Sequence, residues 1–166
     1  LLLFSLCGGI VLFGYQNLVS LFLGIEILSI PLYVLAGSNK NDLRSNEASI
    51  KYFLLGAFAT GFLLFGIALI YGTTGSFDLQ TIRQYSIETT QYPTIYMTGI
   101  ILMLVGLLFK ISIAPFHFWA PDVYEGSPSL ITAFMASVIK IAGFLALYKL
   151  VEFAFIGQLN EWQYII

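Results

Sequence analysis

Five apolar runs constrain this chain more than any other feature of its sequence. A helix needs roughly 20 apolar residues to cross a hydrocarbon core of roughly 30 Å. Residues 17–36, 47–71, 95–119 and 128–155 each meet that length, and residues 1–14 form a shorter fifth run. Helix is the only sensible state for the long runs, because an unpaired strand in lipid leaves its backbone unsatisfied. The sequence therefore predicts an all-α, polytopic transmembrane bundle of about five spans, a single domain over residues 1–166. Only 10% of the residues are charged, against roughly 25% in an average soluble domain, so most of the surface does not face water. The glycines at 56, 61, 66, 99 and 106 fit closely packed membrane helices. Gly61 and Gly66 read as packing positions.

The connections are short and polar. Residues 37–46 join the second and third runs, and residues 121–128 join the fourth and fifth. Residues 72–94 join the third and fourth, with a short surface helix expected at 79–84. Ser127 followed by Pro128 reads as an N-cap with proline at the first helical position. Loops 37–46 and 121–128 share one membrane side, here called y; loop 72–94 lies on the other, x. Lys40 and Arg44 on y, against Arg83 on x and Lys149 near x, make y cytoplasmic by a small margin. The chain opens at Leu1 inside a hydrophobic run, without Met or a basic leader. It reads as an internal piece of a longer protein rather than a signal peptide.

Net charge is −2, and the few basic residues are scattered, which argues against a nucleic-acid partner. Cys7 is the only cysteine, so the chain holds no internal disulfide and no cysteine-rich metal or iron–sulfur site. Nucleotide, haem, flavin and quinone motifs are absent. A metal site is not expected, because His117 has no second His or Cys close in sequence.

Chemistry is concentrated in Glu26, Lys110 and Lys140. Each is the only charged residue in the middle of its apolar run. Helix rise puts them roughly 15, 14 and 17 Å from the y ends of their segments, close to half the depth of the core. Insertion scales charge roughly 2.5–3.5 kcal/mol for one such residue at a helix centre, so three at one depth need a reason. One reading is a helix-locking ion pair between Glu26 and a lysine; it leaves the other lysine unexplained, and buried pairs stabilise little once desolvation is counted. The other is proton loading. Burial disfavours a charged lysine and a carboxylate nearby favours it, so the carboxylate's position or protonation can tune the lysine's affinity for a proton.

Lys51, roughly 6 Å from the y end of its segment, reads equally as a lysine snorkelling to the interface or as a functional group. His117 follows Lys110 by two helical turns. Imidazole suits a proton relay, but an interfacial anchor beside Phe116, Phe118 and Trp119 is the competing reading. Pro115 lies between them, removes a backbone donor and clashes with the preceding turn. The fourth run is therefore expected to be kinked or unwound there, with Ser112 placed to satisfy a freed carbonyl. Broken helices at membrane depth are tolerated where they line a wet cavity, and transporters use them to place ions.

Residues 107–128, Leu-Leu-Phe-Lys-Ile-Ser-Ile-Ala-Pro-Phe-His-Phe-Trp-Ala-Pro-Asp-Val-Tyr-Glu-Gly-Ser-Pro, resemble the antiporter-like membrane subunits of respiratory complex I (NADH:quinone oxidoreductase). The ending Pro-Asp-Val-Tyr-Glu-Gly-Ser-Pro is similar to the subunit N branch rather than to L and M. Residues 23–33, Leu-Gly-Ile-Glu-Ile-Leu-Ser-Ile-Pro-Leu-Tyr, and 47–54, Glu-Ala-Ser-Ile-Lys-Tyr-Phe-Leu, match the same branch. The resemblance implies a 14-helix subunit of two inverted five-helix repeats, of which this chain is the first, helices 4 to 8. It assigns Glu26 to the helix-5 glutamate, Lys110 to the lysine of broken helix 7 and Lys140 to the helix-8 lysine on the connecting axis. Lys51 and His117 match the helix-6 lysine and the helix-7 histidine, which shifts both toward proton transfer. The second repeat, with its helix-12 lysine, lies outside this sequence.

The resemblance further implies a translocase without a redox centre of its own. NADH, FMN, iron–sulfur clusters and quinone are expected in partner subunits, with other complex I membrane subunits and the lipid bilayer as partners. The expected location is a bacterial plasma membrane, with an organelle inner or thylakoid membrane as the alternative. Two other functions stay open: a cation/proton antiporter subunit of the related Mrp type, and a structural membrane spacer.

Overall fold

The computed structural model describes residues 1–89 and 91–158. Thr90, within the connection 72–94, and the end of the expected domain beyond residue 158 lie outside it. Within the described residues the chain is helical, with one isolated bridge between Asn17 and Asp78. The helices are α1 Leu2–Gly14, α2 Leu18–Ala36, α3 Leu43–Thr74, α4 Leu79–Glu88, α5 Thr94–Ile111, α6 Ala120–Gly126 and α7 Ser129–Ala154. Four of them, α2, α3, α5 and α7, are long and apolar enough to cross a membrane, and α1 is a shorter apolar helix.

Helix starts follow local side-chain chemistry. Asn17 caps α2 by accepting from Ser20 N at 2.7 Å, and Asp78 caps α4 by accepting from Gln80 N at 2.9 Å and Thr81 N at 3.2 Å. At the x surface, Leu18 N donates to Phe77 O and Leu79 N to Gln16 O, which ties the α1–α2 and α3–α4 turns together. Lys149 and Tyr15 close the same end. The Lys149 ammonium donates to Tyr15 O and sits over the Tyr15 ring, while Tyr15 Oη donates to Ala146 O.

Three boundaries differ from the sequence expectation. Helix α3 runs 32 residues, roughly 48 Å at the usual rise, and exceeds the expected 47–71 at both ends. Its first turn is polar, so hydropathy does not see it; Asp42, which accepts from Arg44 N at 3.0 Å, starts the helix there. Helix α4 likewise continues to Glu88, past the expected 84. The fourth run does not reach 119 as one helix: α5 stops at Ile111, residues 112–119 turn, and the expected loop 121–128 mostly forms α6.

Ser127 is not the cap of α7. Pro128 holds that place with ψ 138°, and the Ser127 hydroxyl is buried without a partner among the described residues. Proline pushes the residue before it into extended backbone, which leaves Ser127 two positions short of the first helical residue. Helix α7 also carries two wide turns of π geometry, at Met135–Ile139 and Leu150–Ala154.

The most extensive pairing is α3 on α5. A Cβ on Gly66 would lie 2.6 Å from Gly99 O and 2.8 Å from Met103 N, so only glycine lets these backbones approach. Gly61 faces open space instead, contrary to its reading as a packing position.

Candidate functional site

The break after α5 places Lys110 two residues from Ser112, whose hydroxyl receives Lys140. Ser112 adopts left-handed backbone, φ 55° and ψ 45°. Its N–H returns to Phe109 O at 3.0 Å, and Ile113 N returns to Leu108 O at 3.1 Å. This is the two-bond helix ending usually built on glycine. A non-glycine residue held at positive φ is strained, and such strain clusters at functional positions. The Trp119 indole donates to Phe109 O at 2.9 Å, so the carbonyls freed by the break are covered from within.

Lys110 stands one residue before the last of α5 and is only 5% exposed. Its ammonium donates to Tyr33 Oη at 2.7 Å and to Ser29 Oγ at 3.1 Å. Both partners are neutral hydroxyls on α2. The Ser29 hydroxyl donates its own hydrogen bond to Ile25 O at 2.6 Å. Glu26 lies on the same α2 face, one turn toward x from Ser29 by helical spacing. Its Oε1 is buried without a partner among the described residues. The helix-locking Glu26–lysine ion pair is therefore not what the geometry presents.

The expected common level becomes a stepped row. The roughly 14 Å depth of Lys110 assumed a helix running on to Trp119, and that helix ends at Ile111. Its ammonium meets residues three and seven positions y-ward of Glu26, and three positions correspond to about 4.5 Å of rise.

Lys140 follows the first wide turn of α7 and is half-buried. Its ammonium donates to Ser112 Oγ at 2.5 Å and lies 5.2 Å from the Trp119 ring centroid and 5.8 Å from that of Tyr124. Burial raises the pKa of the Tyr124 phenol, so the ring stays neutral beneath the cation. Ser112 thus serves Lys140 rather than a freed carbonyl. A chain of rings runs behind both lysines, Tyr33 on Tyr52 at 4.7 Å, Tyr52 on Trp119 at 4.8 Å and Phe109 on Trp119 at 5.4 Å.

Lys51 does not snorkel alone. It bridges Glu47 Oε1 and Asp122 Oδ2, both at 2.7 Å, joining α3 to α6. With Arg44, Ala48, Glu125 and Gly126 these residues line a cleft of about 260 Å³ on side y. Arg44 and Glu125 meet at 3.7 Å with both side chains more than three-quarters exposed. Glu125→Gln is accordingly expected to change stability by less than about 1 kcal/mol in a denaturation measurement. His117 is exposed on the outer side of the break, next to exposed Phe118. The fold brings Lys140 to Ser112, two residues along the chain from Lys110, leaves Pro115 and His117 exposed on the break, and places Lys51 at the y surface. Sequence reasoning missed Ser29, Tyr33, Glu47 and Asp122. The spacing of Glu26, Ser29 and Tyr33, three and seven residues apart on one helix face, was the available signal.

Ionisable side chains beside a broken helix at membrane depth are a feature of membrane proteins that place ions. The chain belongs to the NADH:quinone oxidoreductase/Mrp antiporter transmembrane family, whose match covers residues 16–166. It is 55% identical over 163 residues to NADH-quinone oxidoreductase subunit N of Flavobacterium psychrophilum, covering 98% of this chain and 36% of that protein. To subunit N of Cytophaga hutchinsonii it is 55% identical over 155 residues, covering 93% and 33%. The chain thus spans about a third of the length of these relatives. Among solved structures, respiratory complex I from Thermus thermophilus matches with TM-score 0.76 at 43% identity, over 87% of this chain and 32% of that one. The Mrp complex from Dietzia sp. DQ12-45-1b matches with TM-score 0.83 at 24% identity, over 93% and 29%, and shares the fold. The chain is an integral membrane protein with an antiporter-like helical fold.

Proposed function

We propose that this chain carries the first repeat of a proton-translocating membrane subunit of NADH:quinone oxidoreductase, a translocase without a redox centre of its own. One observation carries the reading: Lys110 is buried and bonded to two neutral hydroxyls and, among the described residues, to no carboxylate. An ammonium held this way has, among the described residues, no directly bonded counter-charge opposing loss of its proton. Lys110 is the group that loads and releases, and Glu26, on the same α2 face, tunes it through the charge it carries. Lys140 takes the proton onward, since Ser112 holds its ammonium two residues along the chain from Lys110. Lys51, between two carboxylates in the y-side cleft, gathers protons from that surface, and His117 assists from the outer side of the break. Driving energy comes from redox chemistry in partner subunits, which hold the NADH, FMN, iron–sulfur and quinone sites. Other membrane subunits of the complex and the bilayer are the partners, in a bacterial plasma membrane.

The test is Glu26→Gln in the full complex, reconstituted in vesicles. With the tuning charge removed, coupled turnover is expected to fall by about tenfold. An assembled Glu26→Gln complex that pumps at the parental rate and proton-to-electron ratio contradicts the reading. Sodium flux through the subunit without redox partners would favour the antiporter function instead.

A further inference from the structure

A group beside Lys110 that suits both of its charge states is needed if the lysine exchanges protons, and Tyr33 is placed to be that group. A lysine ammonium donates hydrogen bonds and accepts none; the neutral amine gains a lone pair that can accept one. A carboxylate partner suits only the charged form. Ser29 faces Lys110 as an acceptor alone, because its single proton is committed to Ile25 O at 2.6 Å. The Tyr33 hydroxyl accepts from Lys110 at 2.7 Å, and none of the described hydrogen bonds uses its own proton.

The phenol is held for this position. Its ring packs edge-on against Tyr52 and Phe53, with centroids at 4.7 and 5.8 Å. On α3, Gly56 provides the notch that admits the phenol oxygen; a Cβ there would run into it. Lys51 precedes Gly56 by five residues, about 7.5 Å of rise, so the phenol lies between the y-side cleft and Lys110. The ionisable and hydroxyl groups along the elements around it include Glu26 and Ser29 on α2, Ser49, Lys51, Tyr52 and Thr60 on α3, and Lys110 on α5; Ser49 donates to Tyr33 O at 2.6 Å. Thr60 is turned to Gly56 O.

We propose that Tyr33 is a positioning residue for proton exchange at Lys110, its hydroxyl accepting from the ammonium and turning to donate to the amine. The inference rests on the reading of Lys110 as the loading site, and the experiment separates the two. In the full complex, Tyr33→Phe keeps the ring and its packing and removes only the hydroxyl. Coupled turnover is expected to fall by about tenfold or more, the effect of losing one hydrogen bond to a charged group. Isotope-labelled tyrosine placed at position 33 alone leaves the chemistry intact and is expected to show a phenol C–O infrared band that moves during turnover. That band is expected to stay fixed in a Lys110→Met complex. A Tyr33→Phe complex turning over within about twofold of the parent, or a labelled band that never moves, overturns the role of Tyr33 while Lys110→Met remains inactive. If Lys110→Met itself pumps normally, the loading-site reading fails and this inference with it.

Discussion

Replacing Lys110 with methionine is expected to leave the complex assembled and to cut its coupled turnover by about tenfold or more. The two halves of that result come from different physics. Methionine is apolar and of similar length, so it removes a buried charge of the kind that membrane insertion disfavours by up to roughly 2.5–3.5 kcal/mol. It also leaves Ser29 Oγ and Tyr33 Oη without their shared donor, a loss of about 1–3 kcal/mol for each buried group. The opposing effects are of similar size, so folding and assembly persist. Function does not, because among the described hydrogen bonds only Lys110 joins the Ser29 and Tyr33 hydroxyls of α2 to the broken end of α5. Native electrophoresis of the purified complex checks assembly, and proton uptake per electron in vesicles checks coupling.

Gly66→Leu is expected to have the opposite profile: little complete complex, and therefore little activity to measure. At this position the atoms in the way are backbone, Gly99 O and Met103 N. Backbone in two packed helices cannot swing aside as a side chain can. Overpacking a core usually destabilises by about 1–3 kcal/mol, and here the strain falls on the most extensive helix pairing in the fold. Loss of assembly follows. Gly61→Ala is the internal contrast. Nothing lies within 4 Å of its added methyl, and alanine is favoured over glycine in a helix interior by about 1 kcal/mol. It is expected to assemble at the parental level, as read by subunit content in purified membranes.

The two glycines show where sequence reading reaches its limit. Both sit in the same apolar helix and look alike in one dimension; only the approach of α5 distinguishes them. The spans themselves were legible, because apolar length near the thickness of a membrane has few other solutions. The break was legible too, since Pro115 removes a donor wherever it is put in a helix. What could not be read was where the helix would yield. It yields at Ser112, three residues early, because a serine in left-handed backbone closes the last turn and presents its hydroxyl to Lys140. The polar first turn of α3 escaped hydropathy for a related reason, being set by the Asp42 cap rather than by burial. Lys110 and Glu26 were found as lone charges in oil. Their cage was not, because Ser29 and Tyr33 look like ordinary helix residues until another helix brings a lysine to them. The wide turns of α7 had no signal in the sequence at all. Such turns recur at functional positions, and one of them ends directly before Lys140.

The proposed function requires that Lys110 work by giving up and regaining a proton rather than by supplying a fixed positive charge. Arginine separates the two, since it keeps its charge at any pH a protein survives. The measurement is the proton-to-electron ratio, with coupled turnover, of an assembled Lys110→Arg complex in vesicles. Proton exchange predicts that coupling fails although the charge is preserved. A Lys110→Arg complex that pumps at the parental ratio and rate contradicts it, and would make this lysine a fixed electrostatic post.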